Sequence, residues 1–148
     1  MSLKETLQDH WKQALKAKEK EKANTISMVK AAILLAEKNS GKTLEDSEII
    51  DILSKEIKQR KEALEDFKKG NRQDLVDATN FEIEVLLKYL PQQLTEEEIT
   101  EIIEKAVNET GANSMKHMKN VMSIVIPKTK GRADGKLVSE KVKNILSK

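Results

Sequence analysis

The sequence holds no cysteine, only 5 glycines and 2 prolines in 148 residues, and 3% aromatics. Each shortage excludes something. Without cysteine there is no disulfide framework, no thiolate metal site and no cysteine nucleophile. So few glycines and prolines cannot supply the turn that a β-sandwich or barrel needs roughly every 8–12 residues. Long apolar runs are missing too. The longest, Ala31-Ala32-Ile33-Leu34-Leu35, falls far short of the about 20 residues of a membrane span. Glu5 and Asp9 stand among the N-terminal lysines with no apolar stretch beside them, which argues against a signal or transit peptide. The expectation is a cytoplasmic, all-α protein that does not engage a membrane.

What is there is charge: 27 Lys+Arg against 25 Asp+Glu, a net of +2. Leu, Ile, Glu and Lys dominate, and all but the β-branched Ile favour helices. The length suffices for one domain or two small units with a sizeable core.

Period and caps mark seven helices. Ser2 with Glu5 forms a capping box, and Leu3, Leu7, Trp11, Ala14 and Leu15 carry the first helix to about Lys20. The second runs from about Asn24 to Asn39, with Asn39-Ser40-Gly41 as its stop. Asp46 or Ser47 caps the third, whose stripe is Ile49, Leu53, Ile57, Leu64 and Phe67, and Gly70 ends it. Asn71 with Asp74 opens the fourth, with Leu75, Ile83, Leu86 and Leu90. Pro91-Gln92-Gln93-Leu94 breaks the pattern and divides an N-terminal four-helix domain, 1–91, from a compact three-helix tail domain, 92–148. In the tail, Thr95 with Glu98 starts a helix that Gly111 stops. Ser114 caps a sixth, which carries Met115, Met118 and Met122 and ends at Pro127. The seventh holds Leu137, Val138, Val142, Ile145 and Leu146.

The near-neutral total hides an asymmetry. Residues 1–91 are net zero, 92–115 net −5, and 116–148 net +7. Lysine-rich ends often serve only solubility; a basic third behind an acidic helix also reads as a footprint for an anion, most often nucleic acid. The segment Lys128-Thr129-Lys130-Gly131-Arg132-Ala133-Asp134-Gly135 is the one loop dense in both glycine and cations. It feeds a helix N-terminus, where free N–H groups and the dipole favour an anion. Lys128, Lys130, Arg132 and Lys136 surround it, Gly131 and Gly135 let backbone approach a ligand, and Lys116, Lys119 and Lys141 extend the basic surface. The plainer reading makes Asp134 a structural cap and the glycines turn formers, and both can hold together. The spacing is not that of a P-loop.

Trp11, Phe67, Phe81 and Tyr89 all precede residue 91. The basic tail therefore has no ring on which to stack a base and would read phosphates, sugars and shape. A loop of about eight residues is too long for the three or four of a DNA-binding helix-turn-helix, so DNA is not expected. Catalytic sets are missing: His10 and His117 have no acidic partner at metal-ligand spacing, and Glu56 with Arg60 or Lys61 with Glu65 reads as a salt-laced face. His117 reads as a surface residue, and Arg60 as a side chain that snorkels over the edge of its stripe. No catalytic residue, metal or cofactor is expected.

Tyr89-Leu90-Pro91-Gln92-Gln93-Leu94 and Lys130-Gly131-Arg132-Ala133-Asp134-Gly135-Lys136-Leu137-Val138, with Met28-Val29-Lys30-Ala31-Ala32-Ile33 and Ser54-Lys55-Glu56-Ile57-Lys58-Gln59-Arg60, resemble the GatB/YqeY family along essentially the whole chain. That family is similar to the C-terminal helical and tail region of the glutamyl/aspartyl-tRNA amidotransferase B subunit, and to an appendage of some glutaminyl-tRNA synthetases. The resemblance implies an all-α fold and recognition of the folded body of tRNA, with the family's Gly-Arg/Lys-Ala-Asp stretch on Gly131, Arg132, Ala133 and Asp134. Carbon–nitrogen ligase chemistry belongs to a domain this sequence lacks. The leading reading is a tRNA-binding accessory module; the alternatives are a helical adapter that docks on a synthetase or amidotransferase, and an auxiliary of carbon–nitrogen ligase activity, with glutamine as amide donor, that has no active site of its own.

Overall fold

A computed structural model describes residues 2–147. Among them the chain forms seven α-helices and one 3-10 turn, with no strand. The helices are α1 (Leu3–Lys16), α2 (Lys20–Ser40), α3 (Asp46–Lys69), α4 (Gln73–Leu87), α5 (Glu96–Thr110), α6 (Met118–Thr129) and α7 (Gly135–Leu146). The chain divides into two compact units, Met1–Leu90 and Pro91–Lys148.

In the N-terminal unit, α3 and α4 pack as a hairpin, and α1 packs on α2. The predicted stripes meet: Leu7, Ile26, Val29, Ile49, Leu53 and Leu86 are fully buried in one cluster. Asp46 does not cap its own helix. Its Oδ1 accepts the Leu3 N–H at 2.9 Å and so serves the exposed start of α1. The N-cap of α3 is Glu45 instead, whose N–H donates to Glu48 Oε1 at 3.2 Å. Arg60 does more than snorkel over the edge of its stripe. It is buried, and it holds Glu56 at 2.8 Å and Glu82 at 3.7 Å.

Two helix boundaries move for the same reason. The α1 helix ends at Lys16, and Lys18 takes the left-handed conformation at φ 59°. Glu19 N–H then bonds back to the Ala14 carbonyl at 2.9 Å, and α2 begins at Lys20, earlier than the predicted Asn24. At the end of α3, Asn71 adopts φ 55° and Arg72 N–H returns to the Phe67 carbonyl at 3.0 Å. Asn71 thus closes α3 and does not open α4, whose N-cap is Arg72. Both are Schellman closures with a non-glycine residue in the left-handed position, at a cost of about 1–2 kcal/mol each. Where glycine was expected to stop α2, Gly41 does so at φ 72°.

The C-terminal unit is smaller. Ile99, Ile103, Val121, Val125, Val138 and Val142 form its core, without an aromatic ring. Met118 and Met122 pack against it, whereas Met115 stays exposed. Ser114 makes no side-chain cap. It precedes a 3-10 turn over Met115–His117, and α6 starts at Met118. Pro127 lies inside α6 rather than at its end. Its place in the last turn costs a single helical bond, and the helix runs on to Thr129.

Glu37 ties the N-terminal unit together, accepting from Lys4 Nζ at 2.7 Å and from the Leu44 N–H at 2.9 Å. The Lys4 hydrogen bond first, and the Leu44 N–H second, hold its carboxyl below the usual range. A lowered folded pKa gives stability that is present above the ordinary carboxylate pKa and is lost as pH falls through the lowered value. Glu37→Gln is therefore expected to flatten the acid limb of stability in urea titrations followed by circular dichroism. Leu53→Ala, at a fully buried site, is expected to cost about 2–5 kcal/mol in the same measurement.

Candidate nucleic-acid interface

The cationic loop of the C-terminal unit is shorter than its sequence suggests, because α6 absorbs Lys128 and Thr129. Five residues, Lys130 to Asp134, remain between α6 and α7. Thr129 is buried, and its hydroxyl donates to the Val125 carbonyl at 3.0 Å, which anchors the last turn of α6. Its own carbonyl accepts the N–H groups of Arg132 and Ala133 at 2.9 and 3.1 Å, folding the loop tightly back. Gly131 stands at φ 73°, where a side chain would be strained.

Residues 92–94 brace this loop from outside. Leu94 N–H donates to the Arg132 carbonyl at 2.8 Å. Gln93 Nε2 donates to the Gly131 carbonyl at 2.9 Å and to that of Pro91 at 3.1 Å. Arg132 Nε donates in return to the Gln92 carbonyl at 3.1 Å. Two stretches nearly forty residues apart in sequence thus form one hydrogen-bonded surface. Gln92, Gln93 and Leu94 were legible only as a break in the helical pattern; nothing in their spacing announced this contact.

Arg132 is accordingly part clamp. One guanidinium nitrogen is committed to Gln92, and the other two have no partner among the described residues. Asp134 caps α7: its Oδ1 accepts the Lys136 N–H at 3.0 Å, and its carbonyl accepts the Val138 N–H. The helix N-terminus is therefore already faced by a carboxylate, so an incoming anion relies on the lysines more than on the dipole. Lys128, Lys130 and Lys136 are exposed around the loop. At Gly135 a Cβ would meet no atom within 4 Å, so the backbone there is open to approach.

The other predicted cations lie apart. Lys116, in the 3-10 turn, and Lys119, in the first turn of α6, are exposed, and Lys119 lies roughly 16 Å from the loop at about 1.5 Å per helical residue. Lys141 is turned to α5, 3.9 Å from Glu96, which offsets part of its charge. His117 Nδ1 accepts a long hydrogen bond from the Asn113 N–H at 3.4 Å.

The whole chain, residues 4–146, matches the family described as "Yqey-like protein". This chain belongs to the YqeY-like family. A relative from Pyrenophora tritici-repentis, named "Altered inheritance of mitochondria protein 41, mitochondrial", is 33% identical over 145 residues, which is 95% of this chain and 78% of the relative. A protein of the same name from Lachancea thermotolerans is 39% identical over 82 residues, 55% of this chain and 44% of the relative. Among the described residues of this YqeY-like chain, no helix is long and apolar enough to cross a membrane.

The two loop glycines should behave oppositely. Gly135→Ala is expected to leave stability unchanged or raise it by about 0.5 kcal/mol, and Gly131→Ala to lower it by about 1 kcal/mol or more, in thermal unfolding. Equal effects would contradict the loop geometry.

Proposed function

We propose that this YqeY-like chain is a non-catalytic accessory module that binds folded tRNA through its C-terminal unit. The observation that carries the reading is the braced loop: three exposed lysines, Lys128, Lys130 and Lys136, on a backbone fixed by residues 92–94, within a segment of net charge +7. Fixed backbone with exposed cations suits phosphate contacts, which position a protein on nucleic acid without reading sequence. Lys116 and Lys119, in the turn before α6 and at its start, form a second patch, and two patches roughly 16 Å apart suit a folded RNA better than a single phosphate. Arg132 serves mainly as the clamp, and its outer nitrogens add one further contact. The resemblance to the tail of the amidotransferase B subunit supports the same assignment. Among the described residues no side-chain set suggests amide transfer of its own. The reading needs a compartment that holds tRNA: the cytoplasm for this chain, and mitochondria for the relatives so named.

A second reading is an adapter that docks on a synthetase or amidotransferase. The exposed apolar side chains Met28, Leu34 and Leu35 on α2 favour it. A pull-down that survives ribonuclease and high salt would support the adapter over the RNA binder.

The binding test leaves the clamp intact. K128Q/K130Q/K136Q is expected to weaken tRNA binding in filter or gel-shift assays and to lower the slope of log affinity against log salt by about 2–3, near 0.9 per lost phosphate contact. Gly135→Ala is expected to weaken binding while preserving stability. Wild-type affinity and salt slope in the triple variant would overturn the assignment.

A further inference from the structure

The N-terminal unit, net neutral overall, contains a cleft of about 890 Å³ with a different character. Leu3 and Val85 give its lining an apolar part. Phe81, about a third exposed, Tyr89 and His10 of α1 line it as well. The rim carries Lys18, Lys20, Lys22 and Lys88 against Glu19 and Glu21, a local excess of positive charge. Lys22 and Glu19 form an exposed pair at 3.9 Å, so neither holds the other firmly.

Three features point to a ligand with both a ring and an anion. First, the aromatic surface is available. Of the four aromatic side chains, Trp11 already receives the Lys30 ammonium at 3.8 Å, whereas Phe81 and Tyr89 open on the cleft. Second, His10 Nδ1 and Tyr89 Oη are 2.7 Å apart, with ring centroids at 5.5 Å. If the phenol donates to Nδ1, His10 Nε2 carries the proton and is a donor; if Nδ1–H donates, Nε2 is an acceptor and the phenol hydrogen is free to donate elsewhere. The pair can therefore meet either a donor or an acceptor edge, as a nucleobase presents. Third, Lys18, Lys20, Lys22 and Lys88 line the same cleft and outnumber Glu19 and Glu21, so an anionic group finds net positive charge there.

We infer that this cleft binds a nucleoside monophosphate unit, its base stacked on Phe81 and its phosphate on the rim lysines, with the His10–Tyr89 pair in the same lining. The unit comes either from a free nucleotide or from an unpaired residue of RNA. This inference is independent of the tRNA reading, because no residue of the C-terminal loop lines the cleft.

The test is a ¹⁵N–¹H titration of the full chain with AMP, adenosine, inorganic phosphate and a short single-stranded oligoadenylate. AMP is expected to shift cleft resonances saturably at millimolar or lower concentration, and both adenosine and phosphate to bind at least tenfold more weakly. Phe81→Ala and K20Q/K88Q are each expected to weaken AMP at least tenfold, and Phe81→Tyr to retain it. The K20Q/K88Q variant alters only exposed side chains, so it reports even where Phe81→Ala disturbs packing. Tighter binding of the oligomer than of AMP identifies RNA as the source; equal binding identifies the free nucleotide. K128Q/K130Q/K136Q is expected to bind AMP as wild type does. No saturable shift, phosphate binding as tightly as AMP, or wild-type affinity in K20Q/K88Q would overturn the inference.

Discussion

The N–H of Leu94 donates to the carbonyl of Arg132 at 2.8 Å, and the arrangement of the basic surface follows from that bond and its two neighbours. A five-residue loop with a left-handed glycine has many conformations open to it. Three hydrogen bonds with residues 92–94 narrow that choice. They also turn Gly131 and Arg132 carbonyls inward, so the loop presents cations rather than carbonyl oxygens to an approaching phosphate. The arginine that composition alone marks as the strongest phosphate ligand is spent in part on holding the loop. The exposed lysines beside it, point charges on long stems, carry the phosphate contacts in the proposed function.

In the two proposed readings, the units would divide the chemistry of nucleic-acid recognition between them. The tail has net positive charge and no Phe, Tyr or Trp, whereas the N-terminal unit holds all four such rings and is net neutral, with a local excess of lysines around one cleft. A surface that lacks aromatics grips backbone and shape; a cleft with Phe81, Tyr89 and His10 can take a base. The fully buried core of each unit is aliphatic, and in the N-terminal unit Trp11 and Tyr89 pack partly buried against it, whereas Phe81 stays exposed.

Much of the fold was legible because period and caps agreed. The Ile49–Leu53–Ile57 stripe, the Thr95–Glu98 box, and the Gly41 and Gly111 stops all rest on local rules. What escaped was non-local or lacked its usual residue. Lys18 and Asn71 end helices in positions where glycine is the ordinary signal, so the breaks beside them were misplaced. Asp46 looked like a cap for α3 and caps α1 instead, forty-three residues away in sequence, which no window along the chain reveals. In the site, Asp134 was readable as a cap and the lysines as exposed. The clamp by Gln92, Gln93 and Leu94 was not, because a hydrogen bond between distant loops leaves no periodic trace.

The central claim is that Lys128, Lys130 and Lys136, on a loop fixed by residues 92–94, form the RNA contact. The most direct measurement is lysine-by-lysine acetylation read by mass spectrometry, with and without tRNA. The account predicts slowed modification of these three in the presence of tRNA, with smaller protection at Lys116 and Lys119. Full reactivity at all three while tRNA is bound would contradict it.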